Sequence, residues 1–484
     1  MQLKILSLKH GIALIALLFF FSLFGAEAYQ GSLAYYFAFD ISWLLILLST
    51  FCFSQSYVIF YIQLMLFLGF WVKLMSHLIL GVMFVEPTGY WVSSVATSES
   101  WDHVLLVSCL AACGILLANL LFFLVTKNKA KEQNTPNIPQ WYIKHHNLVW
   151  NIILCLGLLT NIINIFCHIY TTGLRPQIVL PFHLNALFSW IMVIIIPLSM
   201  ATFLGWDSDL KLKQRRYYWV FFLASLTSLS VLSRAIYLFW TIPFFFSILS
   251  KSNFSLKKIS FWQNRNAIFV YLTFAALTLI LVNIIRVHYY IGVSTRSSSE
   301  LSAVVATEQH KQKFQQIKKL FVGRWVGLEA VMATTAFPEA DWNFFKKSIM
   351  EKPSVGDIGI YTNTILKPNN YHNNKKTMFS SLPGLVGILN YAHSKNLIFW
   401  GMFCIGFLLC NIERIIFLIL KNKFLLSQQG VILGYWCVSG LNIPYLGVIN
   451  LLECFSVFLI LTLLAPCYNW IMKYSIKKSL LSPT

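Results

Sequence analysis

Four arginines carry the clearest chemistry in this chain: Arg175, Arg234, Arg286 and Arg324. A guanidinium can hold two phosphate oxygens at once and keeps its charge at any working pH. Arg324 lies in the run Gly323-Arg324-Trp325-Val326-Gly327-Leu328-Glu329-Ala330-Val331-Met332-Ala333. These residues have good or tolerable helix propensity and the next breaker is Pro338, so the run is predicted to be helical. On that helix Leu328 shares the face of Arg324, and Glu329 falls well round from it. Gly323 and Gly327 flank the arginine and let another backbone, or a ligand, come close. A cation and a carboxylate set between glycines make a candidate site. The plain alternative is a surface helix with ordinary charges.

Glu329, His372, His393, Glu339, Asp341 and Asp357 are the acid–base candidates of the same region, although each alone reads as a solvated loop residue. Trp325 and Trp342, with Trp91, Trp101, Tyr361 and Tyr371, could stack on sugar rings; tryptophan and tyrosine are also expected at any membrane interface. Asp40, Lys73, Glu413 with Arg414, and Glu453 fall inside apolar stretches, where ionisable groups are expensive. Asp40 and Lys73 are expected to pair between neighbouring helices, and Glu413 and Arg414 to be interfacial. No phosphate-binding Gly-Lys-Ser/Thr loop, dinucleotide fingerprint, zinc pattern or serine elbow occurs. The ten cysteines lie in apolar stretches and read as small buried hydrophobes. No metal site and no cofactor are expected.

The elements that must position these groups are membrane spans. The chain has 484 residues, 57% hydrophobic and 11% charged, with a mean hydropathy of +0.67; soluble domains carry roughly a quarter charged residues. A formal charge of +20 would suggest nucleic acid in a soluble protein. Here the basic residues cluster in short connections, where they set topology, so no nucleic-acid partner is expected. Apolar stretches near 11–25, 33–53, 57–85, 104–126, 148–170, 184–204, 267–290, 397–420, 426–442 and 446–472 can each cross a hydrocarbon core, which takes about 20 helical residues. The first imitates a signal peptide ending in Ala26-Glu27-Ala28, but reads as an uncleaved span because many spans follow. Residues 217–250 are apolar between two basic connections. Two short helices meeting near Ser233-Arg234-Ala235 keep both connections on the cytoplasmic side, with Arg234 at the outer end of the hairpin.

The expected architecture is an all-α polytopic membrane protein of about twelve spans. It divides into residues 1–290 (about nine helices, with the hairpin at 217–250), a long polar segment at 291–395 on the outer side, and 396–484 (about three spans). Within the polar segment a capping box at Ser297-Ser298-Ser299-Glu300 opens one helix. Pro338, Glu339 and Asp341 start a second, residues 352–381 are loop, and Leu382-Pro383-Gly384 opens a short interfacial helix to Tyr391. All four arginines then gather toward the outer side, where positive charge is otherwise selected against. They suggest an anionic ligand arriving at the outer leaflet. For each one singly, interfacial anchoring is the alternative.

At this level the sequence resembles the bacterial O-antigen polymerases. The resemblance rests on Gly323 to Ala333, on Thr172-Gly173-Leu174-Arg175-Pro176 leading to Pro181-Phe182-His183-Leu184-Asn185, on Ser233-Arg234, and on Ser381-Leu382-Pro383-Gly384. One large late loop among many spans adds to it. The resemblance implies a membrane glycosyltransferase of C-type architecture in the bacterial inner membrane, active at the periplasmic face. Donor and acceptor would be oligosaccharide repeat units linked to undecaprenyl diphosphate, with a chain-length regulator and a flippase as further partners beside the membrane lipids. It implies Arg234 and Arg324 on the diphosphate, with Arg175 and Arg286 behind them, Glu329 as base, His372 as a second acid–base group, and Trp325 and Trp342 on sugars. The related O-antigen ligases carry an Arg-x-x-x-Leu element, which Arg324/Leu328 and Arg234/Leu238 both satisfy. Their histidine-to-glycine spacing is missed by one residue at His372 and Gly384. A ligase, or a transporter of the same lipid-linked sugar, is the competing expectation.

Overall fold

A computed structural model describes residues 5–84, 86–91, 97–126, 138–212, 214–251, 261–294, 325–352, 358–369 and 381–462. Arg324, Asp357, Tyr371, His372 and the expected capping-box helix at Ser297 lie outside these residues.

The regular elements of the described residues are all helices. Nine are long and apolar enough to cross a membrane: α1 (Leu8–Ala26), α2 (Leu33–Cys52), α3 (Tyr57–Leu80), α4 (Ser98–Thr126), α5 (Gln140–Cys167), α6 (Leu184–Asp209), α9 (Phe261–Ser294, apolar over Asn264–Arg286), α13 (Lys395–Leu420) and α15 (Tyr445–Thr462). The protein is therefore a multi-pass membrane protein. Shorter apolar helices α7 (Tyr217–Val231) and α8 (Arg234–Leu249) form a hairpin. Its corner is Leu232, held in the left-handed region at φ 57, followed by extended Ser233. Between α9 and α13 the described residues include the short helices α10 (Leu328–Thr335), α11 (Trp342–Ile349) and α12 (Gly384–Leu389), and a π turn (Tyr361–Ile365) followed by a 3-10 turn (Lys367–Asn369) inside the 352–381 segment expected to be loop.

The centre of the bundle is α3, most of whose residues are buried, packed on the interior helix α14 (Lys423–Ser439). Gly430 and Gly434 of α14 rest on the backbone and Cβ atoms of Tyr57 and Tyr61, leaving no room for a methyl group. Small residues four apart are how membrane helices approach closely when lipid supplies no hydrophobic drive between them. At one end, here the lower face, the turn after α13 is tied to α6 by Asn422 Nδ2 donating to the Thr202 carbonyl at 2.8 Å. The Glu413 carboxylate there accepts from Ser56 Oγ and the Tyr57 and Val58 amides at 2.7–2.9 Å, filling the bare N–H groups at the start of α3. It is an internal helix cap, where an interfacial group was expected. Nearby, Asp207 gathers Tyr142, Trp150 and Arg216, the last at 2.6 Å.

At the opposite, upper face, Asp102 at the head of α4 accepts from Tyr29 and the Ser32 amide. The short helices α10–α12 lie here. Asp341 caps α11 by accepting from the Phe344 amide at 2.6 Å, and the His393 ring meets the Thr334 carbonyl at 2.9 Å.

Candidate functional site

Three of the four arginines are brought to the upper face by a loop, the hairpin corner and the end of α9. Arg175 sits on the loop joining α5 to α6. Asn164 fixes one end of that loop: its amide donates to the Tyr170 carbonyl at 2.9 Å and accepts from the Tyr170 amide at 2.8 Å. The same Asn164 amide donates to Ser230 at the end of α7, and Thr172 N–H reaches the Val231 carbonyl at 2.8 Å. Asn185 fixes the other end, accepting from the Leu180 amide at 2.7 Å and donating to the Ile169 and Ile178 carbonyls. Arg175 is left exposed between these two clamps. On the same connection Phe182 holds φ 53 and is 92% exposed, an unusual conformation for a bulky residue.

Arg234 opens α8 directly after the hairpin corner and donates to Asn283 of α9 at 3.1 Å. Arg286 lies one turn beyond Asn283 on the same helix, so it shares that face. A loop, a hairpin corner and helix α9 thus deliver Arg175, Arg234 and Arg286 to one end of the bundle.

The stretch around Trp325 is anchored elsewhere on the upper face, by α3. The helix expected over 323–333 begins only at Leu328. Trp325, Val326 and Gly327 are non-helical because Gly327 lies backbone to backbone on Gly69, where a Cβ would stand 2.3 Å from the Gly69 carbonyl oxygen. Gly69 falls in a π turn, Leu68–Val72, inside α3, a distortion frequent at functional sites. Directly after that turn comes Lys73, 2% exposed. Its ammonium donates to Glu329 at 2.6 Å and to the Trp325 carbonyl.

The expected Asp40–Lys73 pair is therefore not formed. Asp40 accepts from Ser22 Oγ at 2.7 Å and the Trp71 indole at 2.6 Å, so both its oxygens are used. Lys73, two residues beyond Trp71, leaves the helix on the opposite side.

Glu329 is 1% exposed. Burial pushes its carboxyl up from the ordinary range, while the Lys73 ammonium pulls the other way. Its second oxygen, Oε1, has no hydrogen-bond partner among the described residues. This carboxylate is bound into the fold rather than open to solvent. Trp325 and Trp342 remain open to a ligand at 36% and 49% exposed. Trp91, Trp101 and Tyr361 do not: all three are buried, with Trp91 edge-on to Trp101 at 5.2 Å. His393 is held on Thr334, Asp341 is a helix cap, and Glu339 is exposed.

Lys73, Gly69, Asn164 and Asn185 are positioning residues whose roles here sequence reasoning did not assign. Lys73 carried a signal as a charge in an apolar stretch, and Asn185 as the last residue of the Pro181–Asn185 motif. The others need the partner's position to be read. Among the described residues no group of three His, Cys, Asp or Glu side chains is placed to hold a metal ion. Compared with known proteins, the chain matches no family model, no curated protein and no solved structure.

Proposed function

We propose that this protein is an inner-membrane glycosyltransferase that polymerises oligosaccharide repeat units carried on undecaprenyl diphosphate, working at the periplasmic face. The observation that carries the reading is the gathering of Arg175, Arg234 and Arg286 at one end of an apolar bundle. With the basic connections in the cytoplasm, that end faces the periplasm and residues 291–395 form the large periplasmic loop. The bundle then has about twelve spans, adding α7, α8 and α14 to the nine long ones, in a C-type glycosyltransferase arrangement.

A growing chain moves from its lipid diphosphate to the end sugar of the next unit. The diphosphate leaves, and its developing negative charge must be met by preorganised cations. Arg234 and Arg324 take this part, with Arg175 and Arg286 beside them. Val179 and Phe182, exposed on the same connection as Arg175, suit contact with the polyprenyl chain. Trp325 and Trp342 offer exposed ring faces to sugars. Buried with Lys73, Glu329 is best placed to hold the Trp325 turn on α3. No nucleotide sugar is required.

Deleting the gene and separating surface polysaccharide by size on a gel tests the reading. Material with a single repeat on the lipid core supports polymerisation. An absence of core-linked chains means a ligase, and an intracellular lipid-linked pool means a flippase; either result overturns it.

A further inference from the structure

One side of α11 (Trp342–Ile349) is built into the fold, and the other is open. Phe345 and Ser348 are buried, and Phe344 packs on Tyr391 at 5.3 Å and on Phe337 at 5.0 Å between ring centroids. On the open side Trp342, Lys346, Lys347, Ile349 and, just past the helix, Met350 are exposed, Met350 by 77%. Trp342, Lys346 and Ile349 recur at helical spacing and form a stripe, with Met350 beside it and Lys347 beyond. Lysines in a last turn suit the helix dipole, but the dipole gives no reason for the exposed apolar groups among them. Exposed aromatic and aliphatic side chains mixed with lysines are the mark of a helix lying in a headgroup region.

Both ends of α11 are tied to the upper heads of spans. Tyr391, under Phe344, belongs to the turn Asn390–Ala392, and α13 starts directly after it at the Ser394 cap. At the other end the Glu351 carboxylate accepts from the Ile360 amide at 2.9 Å. Gly359, next to Ile360, lies on the turn before α15, where a Cβ would stand 2.7 Å from the Asn442 carbonyl oxygen.

Below these heads both spans face lipid. Trp400, Leu408 and Ile415 are exposed along α13, and Val448, Leu452, Phe455 and Leu459 along α15. Trp400 is six residues from Ser394, about 9 Å along the axis, and Tyr445 opens α15 exposed. Aromatic side chains at that height form the belt of a membrane–water interface. Helix α11 is thus held across the heads of two spans at headgroup height, level with the top of their lipid-facing stripes.

We propose that α11 is a membrane-surface helix docked on the leaflet at the upper face. Ile349 and Met350 enter the glycerol and upper acyl region, Trp342 lies at the headgroup boundary, and Lys346 and Lys347 meet the phosphates of anionic phospholipids. A lysine stem lies along apolar surface while its ammonium reaches out to such a phosphate. The contact therefore tightens with the anionic share of the leaflet and loosens with salt. Trp342 stays level with the first sugars of a lipid-linked chain, so the sugar contact given to it above is kept. Docking at this surface does not depend on which reaction the protein performs.

The test uses the full-length protein with its ten native cysteines replaced, in nanodiscs of phosphatidylcholine with or without phosphatidylglycerol. An environment-sensitive thiol label is placed at Met350→Cys, again at Ile349→Cys, and at Glu339→Cys as the control, exposed ahead of the Asp341 cap. Both test sites are exposed, so the label leaves the packed side of α11 undisturbed. Nitroxide lipids labelled near the headgroup should quench positions 349 and 350 strongly and 339 little, and a water-soluble quencher should do the reverse. Phosphatidylglycerol should deepen the quenching by lipid, and high salt or Lys346→Gln/Lys347→Gln should remove that gain. Labels at 349 and 350 that are quenched from water as readily as the one at 339 would overturn the proposal. So would lipid quenching that ignores both phosphatidylglycerol and the lysines, because the contact would lack its charged half. Shielding seen only in discs holding two copies would give this face to a second copy, and overturns the proposal too.

Discussion

Lys73 and Glu329 lie 256 positions apart in the chain and 2.6 Å apart in space. The pair joins α3 to the start of α10 and holds the Trp325 turn between them. Removing one partner of a buried ion pair leaves the other charge uncompensated, at a cost of about 3–5 kcal/mol. Lys73→Met and Glu329→Gln should each lower the melting temperature of the purified protein clearly. The double variant Lys73→Met/Glu329→Met, with an apolar contact in place of the pair, should recover most of it. Two single variants that melt like wild type would mean that the pair is not formed in the membrane.

The contact between Gly69 and Gly327 gives a second, independent handle on the same junction. A Cβ at Gly69 would stand 2.1 Å from the Val326 carbonyl oxygen, which is backbone and cannot swing aside. Overpacking of this kind costs about 1–3 kcal/mol or more. Gly69→Ala should therefore displace the Trp325 turn and shorten or abolish polymer, while Gly81→Ala, where nothing lies within 4 Å of the added atom, should leave chain length alone and probe only the left-handed turn. Comparison of the polysaccharide ladders checks this.

How far the sequence could be read follows from what each signal depends on. Spans were legible because hydrophobic length is a property of the segment itself; the helix break expected near Ser233-Arg234-Ala235 lies at Leu232–Ser233. The partner of Lys73 was not legible. A charge in an apolar stretch announces that a partner exists, but the choice between Asp40 and Glu329 turned on which side of α3 the lysine leaves, two residues after Trp71. The helix over 323–333 was misjudged at its start for a related reason: local propensity favours helix there, and the tertiary contact of Gly327 on Gly69 overrides it. Trp91, Trp101 and Tyr361 looked like interface aromatics because side-chain type does not tell an interface from the core beneath it.

Glu413 should behave as a stability residue. Its two oxygens take two backbone amides and one hydroxyl at the start of α3. An amide side chain can serve only one side of that arrangement and turns an N–H toward the other. Loss of a hydrogen bond to a charged group and an unmet donor together cost about 1–3 kcal/mol. Glu413→Gln should lower the level of folded protein in the membrane and its melting temperature, with chain lengths unchanged once levels are matched. Shortened chains at matched levels would give it a role in the reaction.

Topology is checked by placing single cysteines in a background without the native ones. Glu339 is exposed on the upper face and Asp209 at the lower end of α6. Cysteine at 339 should react with an impermeant thiol reagent in intact spheroplasts, and cysteine at 209 only after lysis. The reverse pattern would turn the whole bundle over and move the arginines to the cytoplasm.

The arginines themselves separate charge from geometry. A diphosphate leaving group needs fixed positive charge, and a guanidinium grips two oxygens where an ammonium acts as a point charge. Arg234→Ala and Arg324→Ala should each leave single-repeat product, a transition-state loss of about 3–4 kcal/mol by analogy with removing one oxyanion donor. The lysine variants should keep partial activity and give shorter chains. An arginine that only anchors the helix at the interface makes the opposite forecast: lysine replaces it without cost, and alanine lowers only the amount of protein in the membrane. For Arg234 the Asn283 contact adds a control, since Asn283→Ala removes the hydrogen bond but keeps the charge. Chain growth should then fall less than in Arg234→Ala. Normal chain-length distributions for Arg234→Ala and Arg324→Ala, measured at matched membrane levels, would remove both residues from the mechanism.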